Sequence, residues 1–187
     1  MEHLFESAVQ FAMVAHRGQK RKDGTVYILH PMEVATIVGT LTNDEAVLAA
    51  AVLHDTVEDT DVTADDLLRT FGPRVAALVA CETEDKRPDM DPRDSWQIRK
   101  EESLAELRGS ELAVKILWLG DKLSNMRALS RAHAELGDAV FERFNEKDPK
   151  KQRWYHATIL EEIRDLQGSP AYREYEALFH QVFDNCQ

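Results

Sequence analysis

Apolar residues recur at steps of three or four positions along nearly the whole chain, which is the spacing of one face of an α-helix. The first such stripe is formed by Leu4, Phe5, Ala8, Phe11, Ala12 and Ala15. Only the segment TVYIL, residues 25–29, has the composition of a strand, and it is short. Residues 84–94 hold two prolines and many charges, which is typical of a surface loop. The pattern predicts one all-α domain over residues 1–187, built from roughly nine or ten helices.

Helix start signals divide this pattern into elements. Asn43 is the predicted N-cap of one continuous helix through DEAVLAAAVLHDTVED, residues 44–59. Thr63 and Asp66 have the spacing of a capping box. Three further starts, each with an oxygen-bearing cap, are predicted at Ser95, at Asp148-Pro149 for a helix through about Leu166, and at Ser169-Pro170.

The composition and charge of the chain limit the kinds of molecule that it is expected to bind. The 187 residues are 43% apolar and 30% charged, with a net charge of −11, so the surface as a whole repels nucleic acid and anionic membranes. No run of apolar residues is long enough to span a membrane. The two cysteines, Cys81 and Cys186, have no metal-binding spacing and favour a reducing cytoplasm over a disulfide framework. The sequence leaves open whether the chain forms a homo-oligomer.

The segment VLHDTVEDT, residues 52–60, places titratable groups in an otherwise apolar helix, where they cost free energy unless something compensates them. Helical spacing puts His54 above Glu58 and Asp55 above Asp59. Two other predicted helices offer partners for these groups. His30 lies directly before Pro31, and Asp121 follows a mostly apolar run. Two histidines and two aspartates suit a divalent transition ion such as Mn, Fe or Zn.

Each of these residues also has an ordinary structural explanation. A neighbouring His-Asp pair is common in proteins without a metal. Glu58 and Asp59 could be ion-paired residues at a helix end, and Asp121 could pair with Lys122 or Arg127. No single residue is specific for a metal site, whereas the combination is.

Four segments together resemble a known family: AHRGQKRKDGTVYILHP (15–31), LHDTVEDT (53–60), FGPRVAALV (71–79) and LGDKLSNMRAL (119–129). They are similar to the hydrolase domain of RelA/SpoT-type alarmone enzymes, within the HD phosphohydrolase superfamily, and most of all to its small stand-alone hydrolases. The resemblance implies an HD-domain helical bundle. It also implies Mn²⁺-dependent removal of the 3′-pyrophosphate from guanosine 3′,5′-bispyrophosphate (ppGpp) and its pentaphosphate relative, with GDP or GTP and pyrophosphate as products.

The resemblance implies a role for each matching residue. The implied metal ligands are His30, His54, Asp55 and Asp121, and the acidic pair that activates and orients the attacking water is Glu58 and Asp59. The implied nucleotide contacts are Arg21, Lys22, Asn125 and, as a weaker candidate, Arg127. Lys86 is a further candidate phosphate contact. An anionic substrate requires such local cations on a chain of net charge −11, and residues 16–22, HRGQKRK, are its densest basic stretch.

Two alternatives stay open. Ser124, Lys122 and Val26 depart from the pattern of the full-length enzymes, which puts the base preference in doubt. The substrate could therefore be an adenosine alarmone or the 2′-phosphate of NADPH. The chain could also be a nucleotide sensor that no longer turns over its ligand.

Overall fold

A computed structural model describes residues 3–184, which form ten α-helices and two 3₁₀ helices. The α-helices are α1 (Leu4–Ala15), α2 (Leu29–Gly39), α3 (Glu45–Leu53), α4 (Thr56–Asp59), α5 (Ala64–Phe71), α6 (Pro73–Ala80), α7 (Trp96–Leu107), α8 (Leu112–Leu136), α9 (Pro149–Glu162) and α10 (Pro170–Phe183). The 3₁₀ helices are Gly137–Arg143 and Arg164–Leu166. The all-α prediction is confirmed: the described residues contain no strand, only an isolated bridge between Lys20 and Val26.

The chain divides into two compact units. The first is formed by the described residues up to Thr83 together with Glu111–Asp121, and the second by Glu84–Ser110 together with the described residues from Lys122 onward. The expectation of a single domain stays a prediction.

The first unit is organised around α3, which packs against α1, α2 and α6. Five consecutive residues at the end of α3 are buried, from Ala49 to Leu53. Their mostly small side chains allow neighbouring helices to approach on every side. Because α3 is enclosed in this way, its sequence is apolar on every face.

The second unit packs α9 against α7 and α10 around aromatic residues, of which Tyr175 is fully buried. A carboxylate is also largely enclosed here: the Glu84 side chain is 11% exposed. Its oxygens accept hydrogen bonds from Arg99 (2.6 Å) and Lys100 (2.5 Å) of α7. Burial alone would raise the pKa of Glu84, but the charges of Lys100, Lys122 and Arg99 outweigh it and lower that pKa.

Most helix starts lie where the sequence predicts them. The Thr63–Asp66 capping box is present, and the side chains of Asp148 and Ser169 cap α9 and α10. Ser95 precedes α7, but its hydroxyl accepts from the side chain of Arg99 and does not cap the helix.

Three boundary predictions are wrong. The cap of α3 is Asp44, not Asn43, because the Asp44 carboxylate accepts from the backbone N–H of Ala46 at 2.9 Å. The helix after Asp148 ends at Glu162 and is followed by a 3₁₀ turn, so it does not run to Leu166 as one α-helix. The continuous helix over 44–59 is interrupted at His54 and Asp55, between α3 and α4.

The interruption has a local cause. The Thr56 hydroxyl donates to the Leu53 carbonyl at 2.7 Å, and side-chain donors of this kind compete with the helical backbone bonds. Asp55 accordingly adopts φ −89° and ψ −5°, away from regular helical values.

Within residues 3–184, none of the helices has both the length and the apolar character that crossing a membrane would require. Of the two cysteines, Cys81 is partly exposed and forms no disulfide within residues 3–184, and Cys186 lies outside the described residues.

The Glu84 cluster predicts a pH-dependent contribution to stability. Glu84→Gln should lower the free energy of unfolding at pH 7 by about 1–3 kcal/mol, because two cations lose their charged partner. Since folding lowers the pKa of Glu84, this advantage of the wild type is complete above the ordinary glutamate value of 4.5 and disappears as the pH falls below it. Urea unfolding at pH 7 and at acidic pH measures the difference.

Glu102→Gln is the matched control, because Glu102 also pairs with an arginine, Arg87, but is 52% exposed. We expect no measurable change for this variant at either pH. A loss for Glu84→Gln that is equally large at acidic pH would show that the effect is not electrostatic.

Candidate active site

Three buried side chains from separate helical segments of the first unit converge. His30 is the second residue of α2, His54 follows directly after α3, and Asp121 lies within α8. Oδ1 of Asp121 is 3.1 Å from Nε2 of His30 and 3.6 Å from Nε2 of His54. The three residues can each offer a ligand atom within 4.8 Å of the others, which is the geometry of a metal-binding group.

Asp55 adds a fourth side chain to this group. Its Oδ2 lies 3.1 Å from Nε2 of His54 and 3.5 Å from Nε2 of His30. The Asp55 side chain is 19% exposed, whereas those of His30, His54 and Asp121 are at most 7% exposed. Asp55 therefore marks the more accessible side of the cluster.

The donor set fits a divalent transition ion. The Nδ1 atom of His54 lies 2.8 Å from the carbonyl oxygen of Ala51, so Nδ1 carries the hydrogen and Nε2 is directed toward the two aspartates. Among the described residues, this buried Nε2 has no hydrogen-bond partner of good geometry. Imidazole nitrogen and carboxylate oxygen are ligands that suit Mn, Fe and Zn, so the residues present could hold such an ion.

The charges within the cluster are strongly interdependent. Burial would lower the pKa of His54, but the negative charge of Asp55, with Asp121 also beside the ring, outweighs burial and raises that pKa well above its ordinary value. Burial would likewise raise the pKa of Asp55, but the neighbouring His54 outweighs burial and lowers it. The aspartates thus stabilise positive charge at this position, which is the electrostatic requirement for binding a cation.

The position of Asp121 depends on the residue before it. A Cβ atom at Gly120 would lie 2.7 Å from Cγ2 of Val38 and 3.2 Å from Cγ1 of Val34, both on α2. Only glycine allows α8 to approach α2 this closely, and α2 carries His30 near its start. The backbone contact at Gly120 therefore sets the separation of Asp121 and His30.

Gly120→Ala should consequently weaken binding of a divalent ion such as Mn²⁺ by about tenfold or more, because it separates two candidate ligands, and should destabilise the fold by about 1–3 kcal/mol. Gly39→Ala is the matched control on α2, since its Cβ would make an ordinary contact of 3.6 Å with Leu48. Equilibrium dialysis with metal analysis measures the affinity. Unchanged Mn²⁺ binding by folded Gly120→Ala would contradict this account of Asp121.

The acidic pair lies on α4, beside the cluster. Glu58 and Asp59 are both partly exposed. Oδ2 of Asp59 accepts a hydrogen bond of 2.8 Å from the hydroxyl of Tyr27, and the same hydroxyl lies 2.6 Å from Oδ2 of Asp55. Burial, followed by the charge of Asp55, raises the pKa of Tyr27, so its hydroxyl stays protonated.

Sequence reasoning missed Tyr27 as a site residue. It lies three positions before His30, inside the first segment that carries the family resemblance. Taken alone, Tyr27 is marked only by the strand-like composition of residues 25–29. The structure forms no strand in that stretch.

The basic stretch forms a tight turn that leads into α2. The backbone N–H of Arg21 donates to the carbonyl of Thr25 at 2.9 Å, and Gly24 has a φ of +87°, which favours glycine. Arg21 is partly exposed and Lys22 is exposed on this turn. Both belong to the first unit, as do the four cluster residues.

The remaining predicted nucleotide contacts belong to the second unit. Lys86 is exposed in the irregular segment after α6, and Asn125 is partly exposed on α8, four residues beyond Asp121. Arg127 makes two hydrogen bonds, of 2.6 and 2.7 Å, to the carboxylate of Glu174 on α10. The Arg127 guanidinium is thus engaged by an acid on another helix, 47 residues away along the chain.

Comparison with known proteins gives one family match and several relatives. A family model described as an HD domain matches residues 8–148. The chain is 38% identical over 128 residues to the GTP pyrophosphokinase rsh of Brucella melitensis, a match that covers 68% of this chain but 17% of that protein. The chain thus spans less than a fifth of the length of the first curated relatives it matches.

A shorter relative matches over most of its length. The guanosine-3′,5′-bis(diphosphate) 3′-pyrophosphohydrolase MESH1 of Drosophila melanogaster is 42% identical over 129 residues, which cover 67% of this chain and 69% of that protein.

Two solved structures are also similar. One is of a metazoan ortholog of SpoT that hydrolyzes ppGpp and plays a role in starvation responses, with a TM-score of 0.76, 28% identity and coverage of 97% of this chain and 96% of that chain. The other is a crystal structure of a protein from Listeria monocytogenes, with a TM-score of 0.72 and 32% identity. The match covers 83% of this chain and 94% of that chain.

Proposed function

Because the chain belongs to the HD domain family, we propose that it is a metal-dependent hydrolase that removes the 3′-pyrophosphate from ppGpp and its pentaphosphate relative. The products are GDP or GTP and pyrophosphate. The observation that carries the proposal is the convergence of His30, His54 and Asp121, three buried residues that can together hold an ion. The resemblance inferred from the sequence motifs is confirmed by the family match and by the similarity to MESH1.

The chain's residues divide into three roles under this proposal. His30, His54, Asp55 and Asp121 hold a divalent ion, for which we propose Mn²⁺. Such an ion supplies Lewis-acid activation of a water molecule and of a phosphoryl oxygen when it is bound. Glu58 accepts the proton of the attacking water as general base, and Asp59 orients that water.

Local cations attract the substrate to this site. Two pyrophosphate groups make the nucleotide strongly anionic, whereas the protein has a net charge of −11. Arg21 and Lys22 lie on the turn that leads into α2, and we assign them to the phosphates. Lys86, Asn125 and Arg127 stay sequence-based candidates for nucleotide contacts. The cytoplasmic location and the lack of nucleic-acid partners also stay predictions, and the oligomeric state stays open.

A nucleotide panel tests the proposed activity. Metal-free protein reconstituted with Mn²⁺ should release pyrophosphate and GDP from ppGpp, with a higher kcat/KM than for an adenosine alarmone or for release of the 2′-phosphate of NADPH. Chromatography of the products with simultaneous metal analysis makes the measurement. A higher kcat/KM for another nucleotide would change the substrate, and tight ppGpp binding without turnover, at full metal occupancy, would indicate a sensor.

Two substitutions separate metal binding from proton transfer. Asp121→Ala should lose bound metal and activity together, because it removes a ligand oxygen. Glu58→Gln should retain the metal but lose about 10²–10⁴-fold in kcat, because the amide has nearly the same shape and cannot accept the proton. Metal analysis and steady-state kinetics on the same samples check both. Full metal content in Asp121→Ala, or an unchanged kcat in Glu58→Gln, would remove that residue from its role.

A further inference from the structure

The hydroxyl of Tyr27 lies between the candidate metal ligand Asp55 and the acidic residue Asp59. It is 2.6 Å from Oδ2 of Asp55 and 2.8 Å from Oδ2 of Asp59. The Asp55 oxygen concerned is the one that faces the cluster, 3.1 Å from Nε2 of His54. A single side chain therefore joins the cluster to the residue we assign to water orientation.

The contact is restrictive because a phenol has one hydrogen to donate. Two carboxylate oxygens share that donor, so both are drawn toward one point. A hydrogen bond to a charged carboxylate is stronger than one between neutral groups, which favours keeping the shared hydroxyl between these two acids. Tyr27 thus limits how far Asp55 and Asp59 can separate or rotate.

The ring of Tyr27 is itself held in place by His16. The two rings stack with their centroids 4.8 Å apart and their planes 29° apart, and His16 is 2% exposed. Nδ1 of His16 lies 2.7 Å from Oε1 of Gln19. Sequence reasoning gave His16 no role, yet it is buried directly behind Tyr27.

Gln19 extends this arrangement to the backbone of Asp59. Its Nε2 donates to the Asp59 carbonyl oxygen at 2.7 Å, so its Oε1 must accept from Nδ1 of His16. Asp59 is consequently fixed at two points, its carbonyl by Gln19 and its carboxylate by Tyr27. Both contacts come from the segment 16–27.

We propose that Tyr27 is a positioning residue of the proposed hydrolase, holding the metal-facing oxygen of Asp55 and the carboxylate of Asp59 in one fixed arrangement. His16 and Gln19 support it by fixing the ring and the Asp59 backbone. The inference rests on the proposed function for the role of Asp59, whereas its effect on the metal ligand Asp55 can be measured without any substrate. Partners that orient a ligand typically change metal affinity or activity by about 10–100-fold when they are removed.

Tyr27→Phe tests the proposal, because it keeps the ring and its stacking on His16 and removes only the hydroxyl. Mn²⁺ affinity of the metal-free protein, measured by equilibrium dialysis, should fall by about tenfold or more. At saturating Mn²⁺ and ppGpp, kcat should fall while KM changes little, because Tyr27 acts on the water-orienting side and not on nucleotide binding. Unchanged metal affinity together with unchanged kcat would overturn the proposal.

Tyr155→Phe is the matched control. Tyr155 is also buried, and within residues 3–184 its hydroxyl has no hydrogen-bond partner, so its removal should leave metal affinity and kcat unchanged. Thermal unfolding of both variants identifies any general loss of stability. Equal losses of metal affinity in both variants would assign the effect to loosened packing and overturn the proposal.

Gln19→Met separates the two ends of the arrangement. It removes the support of the Asp59 carbonyl but keeps the Tyr27 hydroxyl that bonds Asp55, so kcat should fall more than Mn²⁺ affinity does. A loss of metal affinity as large as that of Tyr27→Phe would overturn the specific role of the tyrosine hydroxyl. If the wild type hydrolyses no nucleotide in the panel, the proposed function fails, but the metal affinities of the three variants still test the positioning of Asp55.

Discussion

The first unit depends on keeping two imidazoles and a carboxylate together where water reaches them poorly. Isolated charges in such a place are costly, so His30, His54 and Asp121 must compensate one another or bind a cation. The surrounding structure makes their meeting possible. The small residues of α3 allow close packing around the end of that helix, and Gly120 allows α8 to approach α2. A cluster of this kind tolerates little displacement, because each ligand atom is fixed by a different helical segment.

The interruption between α3 and α4 also helps to bring the cluster residues together. In a continuous helix, adjacent side chains point about 100° apart, which would direct His54 and Asp55 away from each other. In the structure, Oδ2 of Asp55 lies 3.1 Å from Nε2 of His54. The threonines of the segment explain the change of direction: Thr56 donates to the Leu53 carbonyl, and Thr60 donates to the Thr56 carbonyl. Their hydroxyls end one helix and the next, so the polar segment turns as it passes the cluster.

Much of this arrangement could be predicted from the sequence because it is periodic or has a local signature. The helical class, the capping box at Thr63 and the caps at Asp148 and Ser169 depend on residues a few positions apart. The four cluster residues could be selected only jointly, since each has an ordinary explanation by itself. Contacts between distant residues had no such signal. The pairing of Arg127 with Glu174, and the enclosure of Glu84 by Arg99 and Lys100, follow from packing that no local pattern encodes.

Tyr27 illustrates why the site was harder to predict than the fold. It lies in irregular backbone, where neither helical nor strand periodicity assigns a direction to a side chain. Its direction is set by the turn before it: the backbone N–H of Tyr27 donates to the Gln19 carbonyl at 3.1 Å, and the turn closes through the bond from Arg21 to Thr25. The same turn carries Arg21 and Lys22, the residues assigned to the substrate phosphates. Tyr27 contacts both Asp55 and Asp59, so the conformation of the basic surface turn affects the positions of these two carboxylates. The turn and the two acids therefore cannot be altered independently.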